Sequence, residues 1–167
     1  YDVADAVLPV AWDRPGVAAA CARDLVRLRG DAAFERLVTG VKRVGNILPK
    51  AARRTGAGWE EVRKAVVEPA AFSPQRFEDP AEHALLEALQ RTVRGMDGAH
   101  DEASYARNLA TLSGLAVPID AYFDSVLVNS PDPEVRDNRL AFLGVAYALF
   151  GSFADFQRLV EAGSPAR

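Results

Sequence analysis

The sequence predicts an all-α protein, organised as a single-domain bundle of about seven helices. Apolar residues recur at the i, i+3, i+4 spacing of an amphipathic helix along nearly the whole chain. No segment shows the sustained two-residue alternation of a half-buried strand. The chain has 167 residues, 49% of them hydrophobic. That is enough for one hydrophobic core, so we expect one domain over residues 1–167.

Prolines mark the limits of the predicted helices in the N-terminal third. The first helix covers residues 2–10, and the second covers residues 13–29 with Pro15 in its first turn. The third covers residues 31–48. It ends before Pro49, because the residue that precedes a proline avoids the α region.

The rest of the chain continues the helical pattern after a basic, mobile loop at residues 49–58. Asp-Pro pairs open two of these helices, since an aspartate caps the first turn and a proline fits the first helical position. The predicted helices of this part cover residues 59–67, 79–94, 102–114, 118–126 and 132–150, and a final turn covers residues 153–160.

Signatures of catalysis are missing from the sequence. His83 and His100 are the only histidines, too few to build a metal site without further ligands. Cys21 falls on the apolar side of its helix, which predicts a core thiol. There is no glycine-rich phosphate loop and no serine in a nucleophile elbow. We expect no catalytic residue, no metal and no cofactor within this chain.

Two further expectations concern the location and extent of the protein. No apolar stretch approaches the roughly 18 residues of a membrane span, and no signal-peptide pattern is visible, so we expect a cytoplasmic protein. The first residue is Tyr1 rather than Met, which suggests a piece of a longer chain.

The third predicted helix and the loop after it carry the main functional signal. The net charge of the chain is −3, yet no acidic residue lies between Arg36 and Arg54. On a helical wheel the polar side of this helix is uniformly basic or polar. One interpretation is a solvated face; the other is a surface that binds a polyanion. The candidate residues for binding a polyanion are Arg36, Lys42, Arg43, Asn46, Lys50, Arg53 and Arg54.

Arg139 is a charged residue at a position that the helical pattern predicts to be buried. It lies in the middle of an apolar stripe on the last long helix. A buried, unpaired charge is very costly, so a carboxylate must lie nearby. Asp120 and Asp124, on the preceding helix, are the candidates for a structural ion pair with it. The alternative is direct contact of Arg139 with a base or phosphate.

Four segments follow one another in a recognisable order: KRVGNILPK (42–50), FEDPAEHALLEAL (77–89), SYARNLATLSGLAVPIDAYFDSVLVN (104–129) and DPEVRDNRLAFLGVAYALFGSFADFQRL (132–159). Together they resemble the C-terminal region of the bacterial glycyl-tRNA synthetase beta subunit. The opening YDVADAVL is similar to that family as well, and the resemblance covers nearly the whole chain. PIDAYFDSV followed by VRDNRLAFL also resembles the helical anticodon-binding domain that is named for its DALR motif and shared with arginyl-tRNA synthetase.

This resemblance implies an anticodon-binding domain of the DALR type, at the C-terminal end of a longer chain. It implies tRNA(Gly) and the alpha subunit of the synthetase as partners, with no DNA and no membrane involved. Glycine attachment, with ATP and Mg²⁺, would be catalysed on the alpha subunit. Two alternatives stay open: a non-catalytic helical protein-interaction domain, and the related anticodon-binding domain of arginyl-tRNA synthetase.

Overall fold

The computed structural model of the protein describes residues 2–96 and 102–159, with the side chains of the second range described from residue 104. In these two ranges there are α-helices and short 3₁₀ turns but no strand, which confirms the predicted all-α class. The eight α-helices are α1 Asp2–Ala11, α2 Pro15–Leu28, α3 Ala32–Ile47, α4 Trp59–Val67, α5 Pro80–Gly95, α6 Glu102–Ser113, α7 Ala116–Ser125 and α8 Pro133–Gly151. The 3₁₀ turns are Lys50–Ala52, Pro74–Arg76 and Phe156–Arg158.

Aspartate caps fix where three of these helices begin. The side chain of Asp31 accepts a hydrogen bond from the backbone N–H of Phe34 at 2.9 Å, and Asp132 does the same for Glu134 at 2.8 Å. Asp79 caps α5 together with Glu82 in a reciprocal capping box. These oxygens satisfy backbone donors that have no partner within the helix, so the helix starts follow directly from the local sequence.

The C-terminal part of helix α8 lies inside the core. Residues 146–151 are all buried, and Leu149 and Phe150 have no exposed area. Helices α3 and α4 pack against α8, while α1 and α2 pair with each other and α2 rests on α6. All eight helices contribute to one continuous hydrophobic core. A helix that is apolar all round must be enclosed in this way.

The only cysteine, Cys21, belongs to this core. It is buried on α2, and burial raises the pKa of its thiol to about 11. A thiol with such a pKa stays protonated and unreactive at neutral pH. The prediction of a core thiol is confirmed.

Candidate nucleic-acid interface

Helix α3 presents the predicted basic side to the surface because its other side is held in the core. Leu37 and Val41 have no exposed area, and Val44 is almost fully enclosed. The opposite side therefore faces outward, and Arg43 and Asn46 are exposed there. Arg36 is likewise exposed, and Lys42 is half-buried at the edge of the face. The helical wheel thus placed the face correctly relative to the core.

The basic segment after α3 is a fixed turn rather than an open loop. Lys50–Ala52 form a 3₁₀ turn, and Arg53 donates from Nε to the carbonyl oxygen of Leu48 at 3.1 Å. The N–H of Gly56 donates to the carbonyl oxygen of Gly151 at 2.8 Å, which attaches the segment to the end of α8. The positive φ of Gly56, +76°, is one that residues with a side chain rarely adopt.

Other elements bring carboxylates to this surface, which the sequence of α3 alone did not reveal. Arg36 donates from Nη2 to Asp120 of α7 at 2.8 Å. Arg54 donates from Nη1 to Glu61 of α4 at 2.6 Å, and this hydrogen bond lowers the pKa of the Glu61 carboxyl. The surface is therefore mixed in charge at two of its predicted cations. Periodicity cannot show this, because it describes one helix at a time.

The side chain of Arg43 lies against an aromatic ring. Its guanidinium carbon is 4.3 Å from the centroid of the Phe123 ring on α7. This is a cation–π contact at the edge of the core, since Phe123 is only 9% exposed. Arg36 and Arg43 thus both reach α7, and the candidate surface extends from α3 onto that helix.

Arg139 is buried and ion-paired, but its predicted partners were wrong. It is 6% exposed, and its carboxylate partners are on the N-terminal side of α5 rather than on α7. Asp120 is engaged by Arg36, and Asp124 is exposed on the outer side of α7. The physical reason is that α7 packs mainly against α3 and α5, so Asp120 meets Arg36 of α3, while the start of α5 supplies the carboxylate at Arg139.

Glu82 is the principal partner of Arg139. Its two carboxylate oxygens accept from Nε at 3.0 Å and from Nη2 at 3.2 Å. Arg139 also donates to Glu78 at 3.1 Å and to the carbonyl oxygen of Leu127 at 3.1 Å. Asp79 and Glu82 have the three-residue spacing of a capping box, which the sequence shows and which places Glu82 in the first turn of α5. That spacing does not indicate a contact with Arg139.

The Glu82 carboxylate is ionised although it is completely enclosed. Burial acts to raise its pKa, but the hydrogen bonds from Arg139 and from the N–H groups of Asp79 and Glu78 outweigh burial and lower it. The two N–H donors each lie 2.9 Å from Oε2. Every oxygen of this buried charge therefore has partners, which is the condition for such a pair to persist.

Within residues 2–96 and 102–159, no three histidine, cysteine or carboxylate side chains come together in a way that could hold a metal ion. His83 is exposed and its ring lies edge-on to Phe77, at 5.1 Å between centroids. His100, considered in the sequence as a ligand, lies outside the described residues. No helix in the described part of the chain is long and apolar enough to cross a bilayer.

The fold and this surface define a class: an all-α domain that carries cations, an aromatic ring and carboxylates together along one side. No family model matches the chain. Curated relatives do. The chain is 35% identical over 158 residues to the glycine–tRNA ligase beta subunit of Syntrophotalea carbinolica, which covers 95% of this chain and 21% of that protein.

Two further relatives agree. The beta subunit of glycine–tRNA ligase from Moorella thermoacetica is 34% identical over 160 residues, covering 96% of this chain and 21% of the relative. The beta subunit from Thiobacillus denitrificans is 37% identical over 123 residues, which cover 74% of this chain and 16% of that relative. The chain spans about a fifth of the length of the relatives it matches. It belongs to the glycine–tRNA ligase beta-subunit family, of which it represents a segment.

Proposed function

We propose that this chain is a tRNA anticodon-binding domain of the DALR type, part of a cytoplasmic glycine–tRNA ligase. It recognises tRNA(Gly), while glycine attachment with ATP and Mg²⁺ takes place elsewhere in the enzyme, on the alpha subunit. Membership of the beta-subunit family supports the ligase context. The observation that carries the RNA-binding part is the row of cations along α3 and the turn after it, bordered by carboxylates of α7 and α4.

The chemistry of glycine anticodons suits such a mixed surface. Glycine codons begin with two guanines, so the anticodons end in two cytosines. Cytosine offers an amino donor for a carboxylate and presents acceptors to arginine, lysine or asparagine. Anticodon loops are single-stranded and are read by stacking and by hydrogen bonds to base edges. Asn46 and Asp124 are exposed beside the cations and provide both kinds of partner.

Titration with a glycine anticodon stem-loop at several salt concentrations tests the proposal. If three to five cations meet phosphates, the slope of log affinity against log salt is roughly −2 to −4 for single-stranded RNA. An arginine anticodon stem-loop and a scrambled loop are the competitors. Binding that ignores salt or fails to distinguish the loops would instead support a helical protein-interaction domain. Preference for the arginine loop would support the arginyl-tRNA synthetase alternative.

A charge reversal locates the surface. Lys50 is exposed at the start of the 3₁₀ turn, and Lys64 is exposed on α4 outside the candidate surface. Lys50→Glu is expected to weaken binding of the stem-loop and to reduce the steepness of the salt slope by about one. Lys64→Glu is the matched control and should leave both unchanged. Equal effects of the two substitutions would contradict the assignment of the surface to α3 and its following turn.

A further inference from the structure

The contact between α3 and α7 is organised around a glycine. A Cβ atom on Gly40 would lie 2.9 Å from Cγ2 of Ile119, so the absence of a side chain lets the two helices approach closely. Arg36 precedes Gly40 by one turn, and Arg43 follows it by nearly one turn. The first binds Asp120 and the second lies over Phe123, so both arginines cross the same helix contact.

Arg36 and Arg43 differ in how much of the guanidinium group stays accessible to a ligand. The Nη2 edge of Arg36 is occupied by a carboxylate, as in an ordinary surface ion pair. Arg43 instead rests on the ring of Phe123, and its side chain is exposed. The ring of Phe123 therefore lies against one part of the guanidinium, and the exposed part of the side chain is open to solvent. That exposed part is what a ligand would meet.

The ring beneath Arg43 is itself held in place. Phe123 lies edge-on to Tyr122, with 5.5 Å between centroids and an interplanar angle of 84°. Tyr122 has no exposed area and packs in the same manner against Phe142 of α8. Because the ring is held in place and Arg43 lies against it, the Arg43 side chain has less conformational entropy to lose when it binds a ligand.

We propose that Arg43, supported by Phe123, is a stacking platform for one unpaired base of single-stranded RNA. Arginine guanidinium planes stack on splayed bases, and the ring extends that stack by one layer. The inference rests on the proposed function, under which the base is one of the two cytosines of the glycine anticodon. Asn46, one turn along α3 from Arg43, and Asp124, next to Phe123 in the sequence, are both exposed, and their amide and carboxylate are the kinds of group that pair with the edge of a cytosine.

A fluorescent cytosine analogue tests the platform. Pyrrolo-cytosine replaces each anticodon cytosine of the stem-loop in turn, and its emission is quenched when it stacks. With the 167-residue chain, binding is expected to quench one of the two positions. Arg43→Lys keeps the charge but removes the plane. It should abolish that quenching and weaken binding roughly 5- to 150-fold, the range for loss of one stacked base, with the salt slope unchanged.

Two further variants complete the test. Phe123→Leu removes the supporting ring and should reduce the quenching as Arg43→Lys does, with helicity verified by circular dichroism. Arg63→Lys, the same substitution at an exposed arginine of α4, is the control and should change neither quenching nor affinity.

The possible failures are distinct. Salt-dependent, loop-specific binding without quenching, or with quenching that survives Arg43→Lys, overturns the platform but leaves the proposed function in place. If Arg43→Lys has no effect while Arg43→Ala reduces the salt slope by about one, Arg43 contacts a phosphate and the platform is wrong. If the unmodified chain does not bind the stem-loop specifically, the proposed function fails and the platform fails with it.

Discussion

Arg139 carries a full charge in the middle of an apolar stripe, and the folded protein compensates for it with four hydrogen bonds. Three go to carboxylate oxygens of Glu82 and Glu78, and one goes to the carbonyl oxygen of Leu127. The planar guanidinium can reach these acceptors simultaneously because its donors diverge in one plane. A lysine ammonium has no such geometry.

Arg139→Ala is expected to lower the free energy of unfolding by about 3–5 kcal/mol, because Glu82 would remain buried and charged without its partner. Arg139→Lys should cost less but still a measurable amount. Arg136→Ala is the control on the same helix, and a partly exposed arginine of this kind should cost about 1 kcal/mol or less. Urea denaturation of the three variants measures the difference. A loss for Arg139→Ala no larger than for Arg136→Ala would contradict the buried ion pair.

The lowered pKa of Glu82 makes a definite prediction for acid stability. A carboxyl group whose pKa is lower in the folded state contributes stability that is complete above its unfolded pKa, close to 4.5, and is lost as the pH falls through the folded value. The unfolding free energy of the unmodified chain should therefore fall more steeply below pH 4.5 than that of Glu82→Gln. Urea titrations at pH 7, 5, 4 and 3 compare the two proteins. Parallel curves would show that Glu82 is not the responsible group.

At the residue scale, the sequence predicted that Arg139 is buried and paired, but it did not predict which carboxylates pair with it. The position of Arg139 in an apolar stripe was sufficient to predict a buried, paired cation. The partner was misassigned because only the carboxylates of the preceding helix, Asp120 and Asp124, were considered. The pair joins residues 57 positions apart, and no local pattern specifies which of several carboxylates the chain brings there.

At the scale of elements, the end of α8 determines where the basic turn lies. A Cβ atom on Gly151 would overlap the carbonyl oxygen of Arg54 and would lie 3.1 Å from Cα of Thr55. The backbone of the turn therefore rests directly on the backbone of α8. Only a glycine permits this approach, and the hydrogen bond from Gly56 to Gly151 depends on it.

Gly151→Ala is accordingly expected to displace the turn, destabilise the protein by about 1–3 kcal/mol as an overpacked site does, and weaken binding of the stem-loop. Gly144→Ala, on the same helix, is the matched control. Its Cβ would lie 4.0 Å from its nearest neighbour, the carbonyl oxygen of Ala52, so it should be neutral or slightly stabilising. Thermal denaturation and RNA titration of both variants provide the comparison. Equal behaviour would mean that the turn is not held by this contact.

Helix positions were the most predictable feature of the fold, and helix contacts were the least. Periodicity and Asp-Pro starts predicted α5 and α8 closely, because both signals are local. The seam between α3 and α7 joins residues such as Arg36 and Asp120, which are 84 positions apart. Its mixed charge and its Arg43–Phe123 contact depend on residues of α7, so the sequence of α3 alone could not predict them.

At the scale of the whole molecule, one core links the first helix to the last 3₁₀ turn. The prediction of one domain over residues 1–167 can be tested by unfolding. Trp59 is 9% exposed within this core and Trp12 is 77% exposed, and they are the only two tryptophans. In Trp12→Phe, the fluorescence of Trp59 and the far-ultraviolet circular dichroism should give the same denaturation midpoint. Separate midpoints would divide the chain into two units. Trp59→Phe, which leaves only the exposed tryptophan, provides the reference emission.

The cluster around Arg139 also gives two backbone amides an unusual protection against solvent exchange. The N–H groups of Glu78 and Asp79 donate to a side chain, Glu82, rather than to a helix carbonyl. Their hydrogens exchange with deuterium when these two hydrogen bonds open. Since the same carboxylate is bound by Arg139, the exchange rates of two adjacent amides just before α5 report on the opening of the chain around Glu82 in the native protein.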